Sequence, residues 1–198
     1  MNSRAQEKII VIGGSAGSFH VLLQLVKSLP DDFALPIVIV IHRQRNVTSE
    51  FTRIIAQTFR DKKIVEPDDK ESISASGIYI APQNYHLLFE AEGTFSLDYS
   101  EAVKFSRPSI DVTFESAARI YKNNLIAILL SGANNDGTTG LHCVAQHGGT
   151  MIVQDPLTAE FPAMPRAAIA SVPRVQVFDP AGIIAYLTSV NINKNIVE

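Results

Sequence analysis

A short apolar segment followed at once by glycines constrains this chain more than any other feature. Residues 9–12 are four consecutive branched apolar residues, a pattern typical of a strand buried on both faces of a parallel sheet. Gly13, Gly14 and Gly17 follow, and a helical pattern of apolar residues begins at Phe19. A strand, a glycine turn and a helix open an α/β unit, and ligands bind in the crevice beyond the end of such a strand.

The same turn contains a serine at the position of a nucleophile in a known motif. Residues 13–17 match G-x-S-x-G, the tight strand-to-helix turn that presents a nucleophilic serine, here Ser15. Backbone N–H groups at the start of the following helix would then supply an oxyanion hole. A role for Ser15 as an ordinary helix cap is the alternative, because short motifs also match by chance.

The rest of the chain alternates strands with helices, apart from one interruption. Apolar runs predict further strands at residues 36–41, 63–66, 125–130, 150–154 and 174–178, with helical patterns between them. Residues 78–99 change to short strands joined by turns, which predicts a β insertion. We therefore predict an α/β fold, a three-layer α/β/α, Rossmann-like arrangement. Its doubly wound, mostly parallel sheet would carry an antiparallel β-hairpin insertion, with residues 1–198 forming a single domain whose core spans about residues 8–187.

Composition excludes several classes of partner. The formal net charge of −3 gives no electrostatic reason to expect nucleic acid. Cys143 is the single cysteine, which excludes an intrachain disulfide and suits the reducing cytosol. No apolar run reaches membrane-spanning length, so we expect a cytoplasmic protein with no membrane insertion. No spacing of histidine, cysteine or carboxylate residues resembles a metal site, and we expect no cofactor.

Three predicted strands end in residues that carry chemistry. Ser15 follows the first strand, His42 the second, and Asp136 the strand at residues 125–130. Parallel strands deliver their exit loops to one edge of the sheet, so we expect a nucleophile, a general base and an orienting carboxylate to meet there. The order along the chain differs from that of the α/β-hydrolases. The spacing is not that of a dinucleotide-binding loop either, and no P-loop lysine follows the glycines.

A resemblance to a known family rests on five segments in one order. They are residues 12–17 (IGGSAG), 78–82 (IYIAP) with His86, 107–111 (RPSID), 130–137 (LSGANNDG) and 164–166 (MPR). In these segments the chain resembles the catalytic domain of the bacterial chemotaxis protein-glutamate methylesterase, CheB, over about residues 8–187. The resemblance implies hydrolysis of glutamate methyl esters on chemoreceptor helices with release of methanol, and in some members deamidation of receptor glutamines. It implies Ser15 as the nucleophile, His42 as the base and Asp136 as the orienting acid.

The chain departs from the family pattern at several positions. Ser18 stands where the family commonly has a second glycine, and Arg43 stands where an apolar residue commonly follows the histidine. Ala133 replaces a methionine whose backbone helps to bind the oxyanion. We expect Arg43 and Arg45 to alter which acidic partner is recognised. We do not expect the family's receiver domain in this chain, because the first catalytic strand begins at Ile9.

Two other functional hypotheses stay open at this point. One is a binding module that kept the fold and lost useful catalysis, and the other is an esterase or amidase with a different substrate. The remaining candidate side chains have structural interpretations: His20 faces solvent on a helix, His86 packs or hydrogen bonds in the β insertion, and Asp111 lies in the first turn of a helix. Arg166 either anchors the active-site edge or is an ordinary surface arginine.

Overall fold

The protein is represented by a computed structural model that describes residues 8–43, 51–58 and 64–192. The strands are β1 Ile9–Gly14, β2 Ile37–Ile41, β3 Ile64–Val65, β4 Ile78–Ile80, β5 His86–Phe89, β6 Phe95–Asp98, β7 Leu125–Leu129, β8 Thr150–Gln154 and β9 Gln176–Phe178. The helices are α1 Ser18–Lys27, α2 Phe51–Thr58, α3 Ile110–Tyr121, α4 Thr138–Gln146, α5 Ala163–Ser171 and α6 Pro180–Ile192, and a 3₁₀ turn, Lys122–Asn124, follows α3. The predicted start of the third strand, Lys63, lies outside the described residues.

Within the described ranges, seven strands form one parallel sheet in the order β3-β4-β2-β1-β7-β8-β9. The central strand β1 pairs with β2 on one side, where Gly14 lies opposite Ile41. It pairs with β7 on the other side, where Gly13 lies opposite Leu129. The carboxyl ends of β1, β2 and β7 therefore meet at one edge of the sheet, and their exit loops form the candidate site.

The sheet is covered on both faces, which explains the uninterrupted apolar runs of its central strands. Ile9 and Val11 of β1 point into one core, with α3, α4 and α5, while Ile10 and Ile12 point into the other, with α1, α2 and α6. All four side chains are at most 1% exposed. Full burial of such side chains contributes about 2 kcal/mol each relative to exposure. The predicted doubly wound α/β fold is confirmed.

A two-stranded antiparallel unit, β5 and β6, packs on the α3 side of the sheet. Phe95 of β6 makes an edge contact with Tyr79 of β4, with ring centroids 4.8 Å apart. The sequence pattern assigned residues 78–81 to this insertion, and that assignment is wrong. Strand β4 lies in the main sheet between β3 and β2, and Tyr79 points into one core while Ile78 and Ile80 point into the other.

The sequence pattern predicts the last two helices at residues 166–171 and 180 to about 188. In the structure α5 begins three residues earlier, at Ala163, and α6 continues to Ile192. No helix in the described part of the chain has the length and apolar character needed to cross a membrane.

Candidate active site

The turn after β1 is held in a fixed shape by backbone and hydroxyl hydrogen bonds. The N–H of Ser15 donates to the carbonyl of Ser131, at 2.9 Å. The Ser15 carbonyl accepts from the N–H of Ser18 at 3.1 Å and from its hydroxyl at 2.6 Å. Ser18, one of the departures from the family pattern, therefore braces the turn. Ser15 itself is half-buried, and its Oγ makes no hydrogen bond to any described residue.

Gly17 is required in this turn for two reasons. Its φ of 73° lies in the left-handed region, where L side chains are strained. A Cβ at this position would lie 2.6 Å from Cβ of Glu160 and 2.9 Å from Oγ of Ser131. The chain thus enters α1 sharply, and the N–H groups of Ala16 and Gly17 donate to no acceptor among the described residues.

His42 follows β2 and lies beside this turn. Its backbone N–H donates to the carbonyl of Gly14 at 3.3 Å, so His42 and Ser15 leave adjacent strands from paired positions. The imidazole is 12% exposed, and its Nε2 lies 2.8 Å from Oδ2 of Asp136. The structure therefore brings His42 and Asp136 into direct contact across the edge of the sheet.

Asp136 is fully buried and saturated with hydrogen-bond donors. Its Oδ2 accepts from Nε2 of His42 and from the N–H of Ile110 at 2.7 Å. Its Oδ1 accepts from the Ser109 hydroxyl and from the N–H groups of Asp111 and Gly137, at 3.0, 3.1 and 3.0 Å. Two of these N–H groups belong to the first turn of α3, where the helix dipole favours an anion.

Burial of the Asp136 carboxyl would by itself raise its pKa, but the pKa is lowered to about 2. The hydrogen bonds from His42 and Ile110 and the charge of His42 outweigh the burial. Asp136 is therefore an acceptor without a proton, and the hydrogen between it and His42 belongs to Nε2. This fixes the tautomer, because a neutral imidazole with hydrogen on Nε2 has its lone pair on Nδ1.

The lone pair on Nδ1 has a partner that the sequence did not indicate. Oγ of Ser106 lies 3.3 Å from Nδ1 of His42. Among the described residues no hydrogen bond joins Ser15 to His42, so the pair His42–Asp136 is assembled and the pair Ser15–His42 is not. The roles of Ser15, His42 and Asp136 in a triad remain a prediction.

Ser106 belongs to the loop between β6 and α3, and buried His86 organises this loop. Nδ1 of His86 accepts from the N–H of Ser109 at 3.1 Å, and its Nε2 therefore donates to the Glu101 carbonyl at 3.0 Å. Lys104 pairs with the buried carboxylate of Asp111 at 2.7 Å. Burial raises the pKa of Asp111, and the nearby charge of Asp136 acts in the same direction, while Lys104 opposes both.

Arg43 has structural partners within the chain, and the expectation that it alters which acidic partner is recognised stays a prediction. Its side chain is 7% exposed and pairs with Glu66 at 2.7 Å. It also donates to the Ala81 carbonyl at 2.5 Å. The guanidinium thus ties the residue after His42 to the ends of β3 and β4. Arg45, the other arginine of that expectation, lies outside the described residues.

The other candidate residues lie outside the constellation. His20 and Arg166 are exposed, and Cys143 is half-buried with its pKa raised by burial. Ala133 is exposed at the carboxyl end of β7, and its N–H donates to no described acceptor. Across the described residues no group of three or more histidine, cysteine or carboxylate residues is placed to hold a metal ion.

Comparison with known proteins agrees with the predicted resemblance. A Leptospira interrogans protein named "Putative protein-glutamate methylesterase/protein-glutamine glutaminase" is 48% identical over 160 residues, which cover 81% of this chain and 82% of that protein. The Thermotoga maritima protein-glutamate methylesterase/protein-glutamine glutaminase is 36% identical over 165 residues, covering 82% of this chain and 48% of that protein.

The fold and the family model give the same assignment. The crystal structure of the Thermotoga maritima CheB methylesterase catalytic domain matches with a TM-score of 0.86 at 33% identity, over 93% of this chain and 99% of that domain. Residues 10–187 match the model of the CheB methylesterase family. A match over most of the chain, at this level of identity and structural similarity, shows that the chain belongs to the CheB methylesterase family.

Proposed function

We propose that this chain is a serine hydrolase that removes methyl groups from glutamate γ-methyl esters on the cytoplasmic helices of chemotaxis receptors. The observation that carries the proposal is the 2.8 Å contact between Nε2 of His42 and Asp136, made beside the turn of Ser15. That contact supports Nδ1 as the proton acceptor, which is the function a general base needs. Family membership supports the methyl ester as the bond that is cleaved.

The first half-reaction forms an acyl-enzyme. Oγ of Ser15 attacks the ester carbonyl carbon while its proton passes to Nδ1 of His42. The buried carboxylate of Asp136 stabilises the imidazolium that results. The tetrahedral intermediate then expels methoxide, which takes the proton from Nδ1 and leaves as methanol.

The second half-reaction reverses these proton transfers with water in place of the alcohol. Water attacks the acyl carbon and gives one proton to Nδ1 of His42. The bond to Oγ of Ser15 breaks, and Oγ takes the proton back from Nδ1. The released glutamic acid side chain then loses its remaining proton to solvent and becomes the carboxylate. We assign the developing oxyanion to the N–H groups of Ala16, Gly17 and Ala133, because these have no acceptor among the described residues.

The same site would also accept a glutamine side chain. A carboxamide differs in its leaving group, which is ammonia rather than methanol, and the proton from Nδ1 is needed in both reactions. Both relatives described above carry protein-glutamine glutaminase in their names. We therefore include receptor deamidation in the proposal as a second activity of one site.

Methanol release from a methylated receptor tests the proposal. We expect the chain to release methanol and Ser15→Ala to release none, because no acyl-enzyme forms without Oγ. Ser171→Ala is the matched control: Ser171 is exposed on α5 and its hydroxyl donates to its own helix, at the Ala167 carbonyl. Full activity in Ser15→Ala would remove Ser15 from the mechanism.

The same assay separates the two alternatives. A binding module would hold the receptor in a pull-down without releasing methanol. An esterase with another substrate would hydrolyse a small ester in a Ser15-dependent way and leave the methylated receptor intact.

A further inference from the structure

Ser106 occupies the nitrogen of His42 on which the proposed mechanism depends. Asp136 takes Nε2, so every proton transfer in the two half-reactions passes through Nδ1. Oγ of Ser106 lies 3.3 Å from that atom. A hydroxyl suits this position in both protonation states, because it donates to Nδ1 of a neutral ring and accepts from N–H of an imidazolium.

The position of Ser106 is set by its own loop and not by His42. The N–H of Ser106 donates to the Val103 carbonyl at 2.9 Å, and the Ser106 carbonyl accepts from the N–H of Val103 at 3.1 Å. On one side, Lys104 holds the loop to Asp111. On the other, Arg107 donates to the carbonyls of Tyr99 and Ser100. The hydroxyl of Ser106 is thus presented to the ring by a braced segment.

His42, Ser106 and their neighbours also line a cleft. Its remaining walls are Arg43, Phe105, Arg107 and Pro108. Phe105 is 98% exposed at the rim, so the cleft opens to solvent beside Nδ1. A small leaving alcohol can depart here, and water can approach the ring from the same side.

We propose that Ser106 is a positioning residue for deacylation: it holds the hydrolytic water against Nδ1 of His42. The inference rests on the proposed function and follows from what happens to Ser15. During acylation the Ser15 hydroxyl is itself the proton donor to Nδ1. In the acyl-enzyme Oγ of Ser15 is esterified and carries no proton. Among the residues that the structure describes, Ser106 then provides the hydroxyl group next to Nδ1 of His42.

The step balances without a further reactant. Water donates one hydrogen to Nδ1 and the other as a hydrogen bond to Oγ of Ser106, while its oxygen bonds to the acyl carbon. The carbon–Oγ bond of Ser15 then breaks, and the proton on Nδ1 returns to Ser15. Ser106 gains and loses no proton in the cycle.

Burst kinetics with p-nitrophenyl acetate separate the two half-reactions. p-Nitrophenolate appears with acylation, and the steady-state rate that follows the burst reports deacylation. In Ser106→Ala we expect deacylation to slow about five- to tenfold, as loss of one hydrogen bond implies, with the burst rate within twofold of that of the unaltered chain. Ser106→Thr keeps a hydroxyl and should restore deacylation, while Ser100→Ala, on the same loop but bonded to Asp98, should change neither rate.

The possible outcomes distinguish the role of Ser106 from that of Ser15. Equal slowing of both steps in Ser106→Ala, or no slowing of deacylation, overturns the role of Ser106 and leaves Ser15 untouched. A burst that vanishes in Ser106→Ala but persists in Ser15→Ala makes Ser106 the nucleophile and overturns both proposals. Absence of any burst or turnover in the unaltered chain overturns the serine-hydrolase mechanism and this inference with it. Acetyl-enzyme that accumulates in Ser106→Ala, detected by intact-protein mass spectrometry, is the supporting result.

Discussion

Replacing Asp136 with asparagine tests the site most severely, because the carboxylate has two donors on Oδ2 and three on Oδ1. An asparagine NH₂ group must face one of these sets. At the Oδ2 position the NH₂ group faces two donors, and at the Oδ1 position it would face three. We therefore expect the NH₂ group at the Oδ2 position, where it faces the N–H of Ile110 and Nε2 of His42. The buried N–H of Ile110 then lacks an acceptor, which costs about 1–3 kcal/mol of unfolding free energy.

The same orientation changes the chemistry of His42. Nε2 must become an acceptor for the asparagine NH₂, so the hydrogen moves to Nδ1. That nitrogen then loses the lone pair that, in the proposed mechanism, accepts the proton of Ser15. The wrong tautomer lowered turnover about ten-thousandfold when the equivalent change was made in a protease triad. We therefore expect a loss of roughly this size in Asp136→Asn, mainly in the rate of chemistry and not in binding.

The assay must separate stability from turnover. Urea unfolding gives the folded fraction of each preparation, methanol release is expressed per folded molecule, and ¹⁵N NMR of the ring nitrogens reports the tautomer of His42. Asp179→Asn is the matched control, because Asp179 accepts from the N–H of Gly182 at the start of α6 and asparagine caps a helix equally well. Normal turnover per folded molecule in a destabilised Asp136→Asn protein would refute the mechanism and leave Asp136 as a structural residue.

Two further predictions concern stability. The pKa of Asp136 is lowered from 3.8 to about 2 in the folded chain. Its stabilising contribution of about 2 kcal/mol is therefore complete above pH 3.8 and is lost as the pH falls through about 2. In urea unfolding between pH 4 and 2, the unfolding free energy of Asp136→Asn should therefore fall less than that of the unaltered chain. An identical pH dependence of the two proteins would contradict this linkage. Gly17→Ala should lower the unfolding free energy by more than Gly93→Ala, since both glycines have positive φ but only Gly17 has atoms within 4 Å of an added Cβ; equal losses in urea unfolding would show that the turn accommodates the methyl group.

Much of the fold could be predicted because the central strands are buried on both faces. Strands β1, β2 and β7 are runs of five or six buried residues, and such runs have few alternatives in a chain that also shows helical periodicity. Strand β4 has only three residues, and three apolar residues do not distinguish a central strand from part of a hairpin. Its place in the sheet depends on β2 and β3, which pair with it from distant positions in the chain.

The location of the candidate site could be predicted because its three residues follow the ends of parallel strands. Ser15, His42 and Asp136 each leave the same edge of the sheet, and this follows from parallel topology. Ser106 is separated from His42 by 64 positions in the chain and lies on a loop with no periodic pattern, so no local signal marks its contact. Ser109 is the N-cap of α3, where its hydroxyl accepts from the N–H of Val112, a role that its position before the helix can indicate. Its donation to Asp136 depends on tertiary packing.

The two hydrogen bonds of the buried His86 ring affect the conformational entropy of the loop between β6 and α3. One buried ring holds both ends of the loop, at the Glu101 carbonyl and at the N–H of Ser109. Closing a loop restricts its chain conformations, and here that entropic cost is incurred when the protein folds. A protein partner that contacted this loop would meet a segment already ordered, so less of its interaction energy would be spent on ordering the loop. Rearrangement of the loop would instead require breaking the hydrogen bonds of the buried His86 ring in β5.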